Sequence, residues 1–309
     1  MRSSEKTWRR ALRPPLKWAG GKRWLVPHIL GLWGKLPERR LAEPFCGGLA
    51  LALALMPRRA LLNDRNPHLI HFYVSLQQGL RIINPEDSRS KRAKRGSLNA
   101  QSEEVQPNLP MEEIHKAAGA EHRIVLRMDN DEKLFYDHRR RFNELLATGL
   151  GETDEGAALF YYLNRTAFNG LCRFNRSGSF NVPFGQYSRI KYSCDFTPYR
   201  AVFHDWEFMS VDFSAVPLEA GDFVYADPPY DVEFTQYAKE RFGWPEQVRT
   251  AEWLARHKGP VVLSNQATPR ILTLYEKLGF KLQLLKGPRR ISCTGDRTPA
   301  NEVFAVKNL

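Results

Sequence analysis

Asp222-Phe223-Val224-Tyr225-Ala226-Asp227-Pro228-Pro229-Tyr230 is a short apolar run that stops at an acid, two prolines and an aromatic ring. The run reads as a buried strand. The prolines end it, because each fixes φ at about −65° and lacks the N–H that a sheet ladder needs. The strand therefore gives way to a stiff turn. In open α/β sheets ligands bind beyond the carboxyl ends of parallel strands, and a stiff turn there presents Asp227 and the Pro228 carbonyl as two hydrogen-bond acceptors. Two acceptors suit an exocyclic amine, and the Tyr230 ring can stack on the heterocycle that carries it. Asp and Pro are also ordinary turn residues, so the rest of the chain decides between a binding corner and a plain strand end.

Upstream, Pro14-Pro15-Leu16-Lys17-Trp18-Ala19-Gly20-Gly21-Lys22-Arg23 reads as a loop whose glycine pair opens a helix over Trp24 to Leu32. The glycines permit close backbone approach to a ligand, and Lys22 at the helix start can meet a carboxylate. Arg40 to Phe45 reads as a first strand, Cys46-Gly47-Gly48 as a tight turn, and Leu49 to Leu55 as a buried helix. Strand, glycine turn and helix form a cradle for a nucleotide-bearing cofactor. A second strand, Arg59 to Asp64, ends on an acid spaced like the ribose-binding carboxylate of dinucleotide folds. The glycines do not spell G-x-G-x-x-G, so an adenosine-containing ligand other than a nicotinamide or flavin cofactor is expected.

Pro67 to Leu80 reads as an aromatic-rich helix. From about Asn84 to His122 the chain turns polar, with Lys91, Arg92, Lys94 and Arg95 close together, and reads as an exposed, disordered insertion. Helices are expected over Glu132 to Leu146 and Ala157 to Arg165. Arg173-Phe174-Asn175 and Ser179-Phe180-Asn181 flank an Arg-Ser-Gly turn and read as a β-hairpin. Its arginine, asparagine and phenylalanine suit guanine edges or phosphates, adenine edges, and insertion between bases respectively. Phe180 and Phe184 are expected to pack inward. Beyond it the periodicity alternates: strands over Phe208 to Val211, Phe223 to Ala226, Val261 to Asn265 and Lys281 to Leu285, helices over Thr250 to Lys258 and Pro269 to Leu278. A basic loop from Arg289 to Pro299 and a closing strand from Asn301 to Lys307 complete a largely parallel three-layer sheet with an antiparallel closing pair.

The 46 Lys and Arg against 34 Asp and Glu give a formal charge of +12, which favours a polyanionic partner. The four cysteines, Cys46, Cys172, Cys194 and Cys293, form no C-x-x-C pair, so neither a metal site nor a disulfide framework is indicated. No apolar run is long enough to span a membrane, and the basic amino terminus lacks the apolar stretch of a signal peptide. A cytoplasmic protein is expected.

With these segments in view, the chain resembles the DNA adenine-N6 methyltransferases of the Dam-like type. The resemblance rests on five motifs in family order: Leu16 to Lys22, Glu43 to Gly48, Asn63-Asp64, Asn169 to Arg173 with Phe180 to Gly185, and Asp227 to Tyr230. It implies a Rossmann-like S-adenosylmethionine-dependent methyltransferase sheet over 1-80 and 197-309. The smaller, mostly helical target-recognition domain carrying the hairpin would span 81-196. It implies Asp227, Pro228 and Tyr230 as catalytic residues, and Trp18, Lys22, Glu43, Phe45, Gly47, Asp64 and Asp227 around S-adenosylmethionine. Lys17, Arg173, Asn175, Arg176 and Asn181 would face double-stranded DNA. The expected reaction is methyl transfer to N6 of a flipped adenine by a monomer, with a cognate restriction endonuclease as a further partner. An RNA base methyltransferase and a non-catalytic DNA-binding protein of the same fold are the alternatives. The chain departs from the family at Gly47-Gly48-Leu49, where Gly-x-Gly is usual. It departs again at the hairpin tip, Asn175-Arg176-Ser177-Gly178, where GATC-specific members resemble Asn-Leu-Arg-Gly.

Overall fold

Phe223–Ala226 is a fully buried strand in the computed structural model, and a seven-stranded sheet is assembled around it. The structure describes residues 12–36, 38–86, 122–231, 242–287 and 300–309. The polar insertion with its Lys91 to Arg95 cluster and the basic loop from Arg289 to Pro299 therefore lie outside the described residues, apart from the insertion's ends. The described chain divides into two compact units, one of residues 1–14, 20–66 and 205–309, the other of 15–19 and 67–204. The dividing points fall at 66 and 205, where the sequence suggested 80 and 197, because the helix after Pro67 packs with the second unit.

In the first unit the strands are β1 (Leu41–Glu43), β2 (Ala60–Asn63), β5 (Trp206–Met209), β6 (Phe223–Ala226), β7 (Val261–Gln266), β8 (Lys281–Gly287) and β9 (Ala300–Lys307). They lie in the order β5-β2-β1-β6-β7-β9-β8. The first five pair in parallel, and β9 runs antiparallel to both neighbours. This is the mixed, largely parallel α/β sheet that the alternating pattern predicts, in the Rossmann-like form that the resemblance implies. The central strands read as unbroken apolar runs because they are covered on both faces. Val224, Ala226, Val261, Leu263, Val303 and Ala305 are buried with Leu254 of α7 (Trp244–Ala255) and Ile271 and Tyr275 of α8 (Pro269–Lys277). The helices α1 (Val26–Trp33) and α2 (Ala52–Leu55) complete this unit.

Two sequence expectations need correction here. The buried helix over Leu49 to Leu55 shrinks to Ala52–Leu55, because Leu49 adopts a left-handed φ of 59° and bends the chain first. The helix expected from Thr250 begins at Trp244, with Pro245 in its first turn where a missing N–H costs nothing.

The second unit is built on aromatic rings. Of its helices α3 (Pro67–Gln78), α4 (Glu132–Ala147), α5 (Asp154–Thr166) and α6 (Thr197–Phe203), α3 packs on α5 and α6, and α4 packs on α5. Phe72 stacks on Tyr161 with ring centroids 5.3 Å apart, and Phe196 meets both rings edge-on. Such rings each remove roughly 150–250 Å² from water and set the helix spacing. Two three-residue strands, β3 (Arg81–Ile83) and β4 (Arg123–Val125), pair in parallel beside them. The hairpin is present in minimal form: Phe174 and Phe180 make one antiparallel bridge, flanked by bonds from Asn175 N to Ser179 O and from Asn181 N to Arg173 O. Phe180 is buried as expected, whereas Phe184 is half-buried.

Candidate active site

Strands β1 and β6 pair side by side, and from them the sheet grows in opposite directions, through β2 and β5 on one side and β7 on the other. That reversal is a switch point, and the crevice beyond its carboxyl ends is where open sheets bind ligands. Glu43 ends β1, Asp64 follows β2, Asp227 follows β6 and Ser264-Asn265 lie at the end of β7. All belong to the first unit.

Asp227 is held at both carboxylate oxygens. Ser264 Oγ donates to Oδ1 at 2.9 Å, and Lys22 Nζ lies 3.0 Å from Oδ2. The first contact follows from register, since Ala226 pairs with Leu263 and the next residue on each strand is the acid and the serine. The second follows from the Gly20-Gly21 bend: Gly20 takes φ 81°, and the Lys22 side chain folds back to donate to the Gly20 carbonyl at 3.0 Å. Lys22 Nζ also stands 4.4 Å from the centre of the Tyr230 ring. Burial pushes the Asp227 carboxyl up, and the Lys22 charge is the largest opposing influence. Lys22 was expected to meet a carboxylate, and the one it meets is Asp227 itself.

Glu43 is buried, and its Oε1 has no hydrogen-bond partner. Burial, with the Asp227 charge adding to it, pushes this carboxyl up to about 8. Asp64 accepts from Gly47 N at 3.1 Å and from Asn66 N at 2.9 Å, so it ties the glycine turn after β1 to the end of β2. Burial raises its carboxyl too, against those two amides. Phe45 is half-buried, its ring 5.4 Å from that of Phe213. Glu43, Phe45, Gly47, Lys22, Asp64 and Asp227 thus line neighbouring strand ends of one unit. Trp18 is half-buried in the 15–19 segment, which clusters with the second unit.

Sequence reasoning passed over several residues that shape this site. One is Ser264, which donates to Asp227 Oδ1. Gln247 donates to the Pro229 carbonyl at 2.7 Å. Their signal was a polar residue at the end of an apolar strand or on a buried helix face, and it becomes specific only once the neighbouring strand is known.

In the second unit the hairpin is clamped by α4. Asn143 accepts from Phe180 N at 2.7 Å and donates to Phe180 O at 3.1 Å, and Arg139 donates to Val182 O at 3.1 Å. Arg173 and Arg176 are exposed. Arg173 Nε donates to Asn181 Oδ1 at 2.8 Å, which orients the guanidinium along the hairpin. Asn175 is turned inward to the tip, where its Oδ1 accepts from Ser177 Oγ at 2.7 Å and Ser179 N at 2.9 Å. Lys17 also points into its own unit: Nζ donates to Arg165 O at 2.9 Å and lies 3.7 Å from the centre of the Tyr187 ring. Burial and Arg165 pull its ammonium down to about 8. Phe168, beside Asn169 at φ 53°, leaves a large aromatic ring about half exposed.

An acid, two prolines and a tyrosine at the switch point of a parallel sheet are joined by agreement along the chain: the profile of D12 class N6 adenine-specific DNA methyltransferases matches residues 18–290. The chain belongs to that family. The methyltransferase is 32% identical over 308 residues to the DNA N-6-adenine-methyltransferase of Escherichia phage P1, covering 95% of this chain and 35% of that one. It is 32% identical over 285 residues to Type II methyltransferase M1.LlaDCHI of Lactococcus lactis subsp. cremoris, covering 86% and 85%. It is 31% identical over 308 residues to a DNA adenine methylase of Vibrio cholerae, covering 94% of both. The enzyme is thus an adenine-specific DNA methyltransferase, as the five motifs led us to expect, and the RNA-directed and non-catalytic readings give way. Among the described residues, no helix is long and apolar enough to cross a membrane.

Proposed function

We propose that the enzyme, acting as a monomer, transfers a methyl group from S-adenosylmethionine to N6 of an adenine rotated out of double-stranded DNA. The observation that carries this reading is the Asp227 corner: an acceptor fixed from two sides by Lys22 and Ser264, followed by a turn that two prolines stiffen. The amine of adenine is a poor nucleophile because its lone pair is drawn into the ring. Asp227 and the Pro228 carbonyl would accept the two N6–H bonds, favour a pyramidal nitrogen and stabilise the positive charge that develops on it. Tyr230 would stack on the extruded base and offset an unpairing cost of a few kcal/mol.

The donor's fit is supported by the acceptor oxygens of the site. Glu43, Asp64 and Asp227 bring three carboxyls to neighbouring strand ends, and one of them keeps an acceptor oxygen unpaired. Such a site is hostile to phosphates and suits a ligand with an ammonium group, a sulfonium and sugar hydroxyls. Glu43 would receive the amino-acid end and Asp64 the sugar, while Phe45 offers apolar surface to the rest. S-adenosylmethionine, when bound, supplies an electrophilic methyl on a positively charged sulfur.

Arg173 and Arg176 would meet base edges or phosphates, with Asn181 holding the first in place, and Phe168 offers a ring for insertion between bases. Lys17 and the Asn175 oxygen would serve as struts for this surface. A cognate restriction endonuclease is supported by the Type II name of the Lactococcus relative. The test is incorporation of label from methyl-labelled donor into duplex DNA and into ribosomal RNA, followed by nucleoside analysis. N6-methyladenine in the duplex alone is expected; label on another atom or in RNA would overturn the reading.

A further inference from the structure

The protein repeatedly uses a buried amide side chain to grip backbone that has no sheet partner. Asn63 donates to Pro44 O at 2.9 Å and accepts from Val211 N at 3.0 Å. Asn164 accepts from Lys17 N at 2.8 Å and donates to Lys17 O at 2.7 Å. Asn143, half-buried, likewise takes both the N–H and the carbonyl of Phe180, here beside the hairpin bridge. The fourth case lies behind the catalytic turn and uses two amides in series.

Gln247, in the first turn of α7, is 1% exposed, and Asn265 on β7 is wholly buried. Gln247 Nε2 donates to Pro229 O at 2.7 Å, and its Oε1 accepts from Asn265 Nδ2 at 2.9 Å. Asn265 Nδ2 also donates to Tyr275 OH at 3.1 Å, and its Oδ1 accepts from Gln266 N at 2.8 Å and, more loosely, from Asp231 N at 3.4 Å. Asp231 is pinned in turn by Thr268 Oγ1 at 3.0 Å and Arg270 Nε at 2.6 Å. Both prolines lack an N–H, so the turn offers few backbone handles. The amide pair takes one on each side of Tyr230 and leaves the Pro228 carbonyl and Asp227 for other partners.

We propose that Gln247 and Asn265 are positioning residues for methyl transfer, an amide relay that fixes where the Pro228 carbonyl and the Asp227 carboxylate stand. The inference rests on the reading that those two groups receive the target amine. A burial role alone would be met by any side chain of the same size, and two amides in an apolar interior are tolerated only while every arm is bonded. What the relay adds is placement, and a misplacement of about 1 Å at a reacting centre costs on the order of a hundredfold in rate.

The test is single-turnover methyl transfer on duplex DNA, with donor and duplex dissociation constants measured beside it, for Gln247→Met, Gln247→Glu and Asp227→Asn. Gln247→Met keeps the volume and removes both contacts; its rate constant is expected to fall at least about tenfold while both dissociation constants stay within about threefold of native. Gln247→Glu keeps both contacts while its acid is neutral, donating to Pro229 O and accepting from Asn265. It presents only lone pairs to that carbonyl once ionised. Its rate relative to native is therefore expected to fall as pH rises, the bordering ionisable groups being Asp231 with Arg270, and Tyr275 with a hydroxyl raised by burial. Three results overturn the relay: a Gln247→Met rate within about twofold of native, donor and duplex affinity lost in step with rate, or a Gln247→Glu ratio flat with pH. If Gln247→Met does not fold, that ratio alone decides. Native turnover in Asp227→Asn would sink the underlying reading. Lost turnover there beside native turnover in Gln247→Met would sink the relay alone.

Discussion

Lys22 Nζ lies 3.0 Å from Asp227 Oδ2, with 6% and 17% of the two side chains exposed. Burial favours the neutral acid, and the lysine opposes it. An ionised carboxylate accepts from N6–H more strongly than a neutral acid and opposes the positive charge that develops there, so the lysine keeps the catalytic acid in its working form. Lys22→Met removes the opposing charge and lets the Asp227 pKa rise further. The acid limb of the single-turnover pH profile is then expected to move to higher pH, whereas Lys22→Arg holds it nearer native. An unmoved limb in Lys22→Met would show that the pair does not tune Asp227.

At the opposite end of the same strands lies a different ion pair. Arg40 Nε and Nη2 donate to Asp222 Oδ1 and Oδ2 at 3.0 and 2.9 Å, both residues being buried. Asp222→Ala leaves a guanidinium without its main partner, at an expected cost of about 3–5 kcal/mol. Denaturant unfolding should show that loss, while the fraction that remains folded transfers methyl at the native rate. A large fall in the rate of folded enzyme would mean that the pair reaches the site.

Glu43 gives stability its own pH dependence. Its carboxyl is raised from 4.5 to about 8, so between those values the folded chain holds a proton that the unfolded chain has lost. The native protein is therefore most favoured below the lower value and loses that contribution as pH rises through about 8. Glu43→Gln has no proton to lose. Its stability relative to native should grow by about 1.4 kcal/mol for each pH unit crossed in that window, and level off above it. Equilibrium unfolding at a series of pH values checks this, and a difference independent of pH would contradict it.

The hairpin offers a test of sequence reading. Arg173→Ala should relax discrimination at one base by about 1–3 kcal/mol, while Asn181→Ala, which only frees the guanidinium, should do less. Methylation of a duplex library randomised around adenine measures both. Equal loss of rate across all sequences would assign Arg173 to phosphate instead.

The sheet was readable in the sequence because Phe223–Ala226 is an unbroken apolar run and Val261–Gln266 opens on one, each with an abrupt polar end, and the acid after the first, Asp227, pointed to the candidate site. Elements held by distant partners were not readable. Strands β3 and β4 have three residues each and lie some forty positions apart, so neither has a local pattern to betray it. Helix α6 is a single short stretch behind Pro198, and the start of α7 was hidden because Gln247 is a polar residue on its buried face. The same cause hid Ser264 and Gln247 as parts of the site, since their roles exist only through the register of β7 against β6 and the return of α7 to the Pro229 turn. Leu49 takes a left-handed φ of 59°, a conformation that leucine rarely adopts and that no hydrophobic pattern in the sequence announces.

The most direct test of the whole account is single-turnover methyl transfer by Asp227→Asn on duplex DNA, with donor and duplex affinities determined on the same preparation. The amide keeps the shape of the acid, loses its charge and offers an N–H where a lone pair is needed. Methyl transfer is expected to fall by about 3 kcal/mol of barrier or more, a hundredfold or greater, while the protein still binds duplex DNA. Transfer at the native rate would contradict the claim that Asp227 receives the amine.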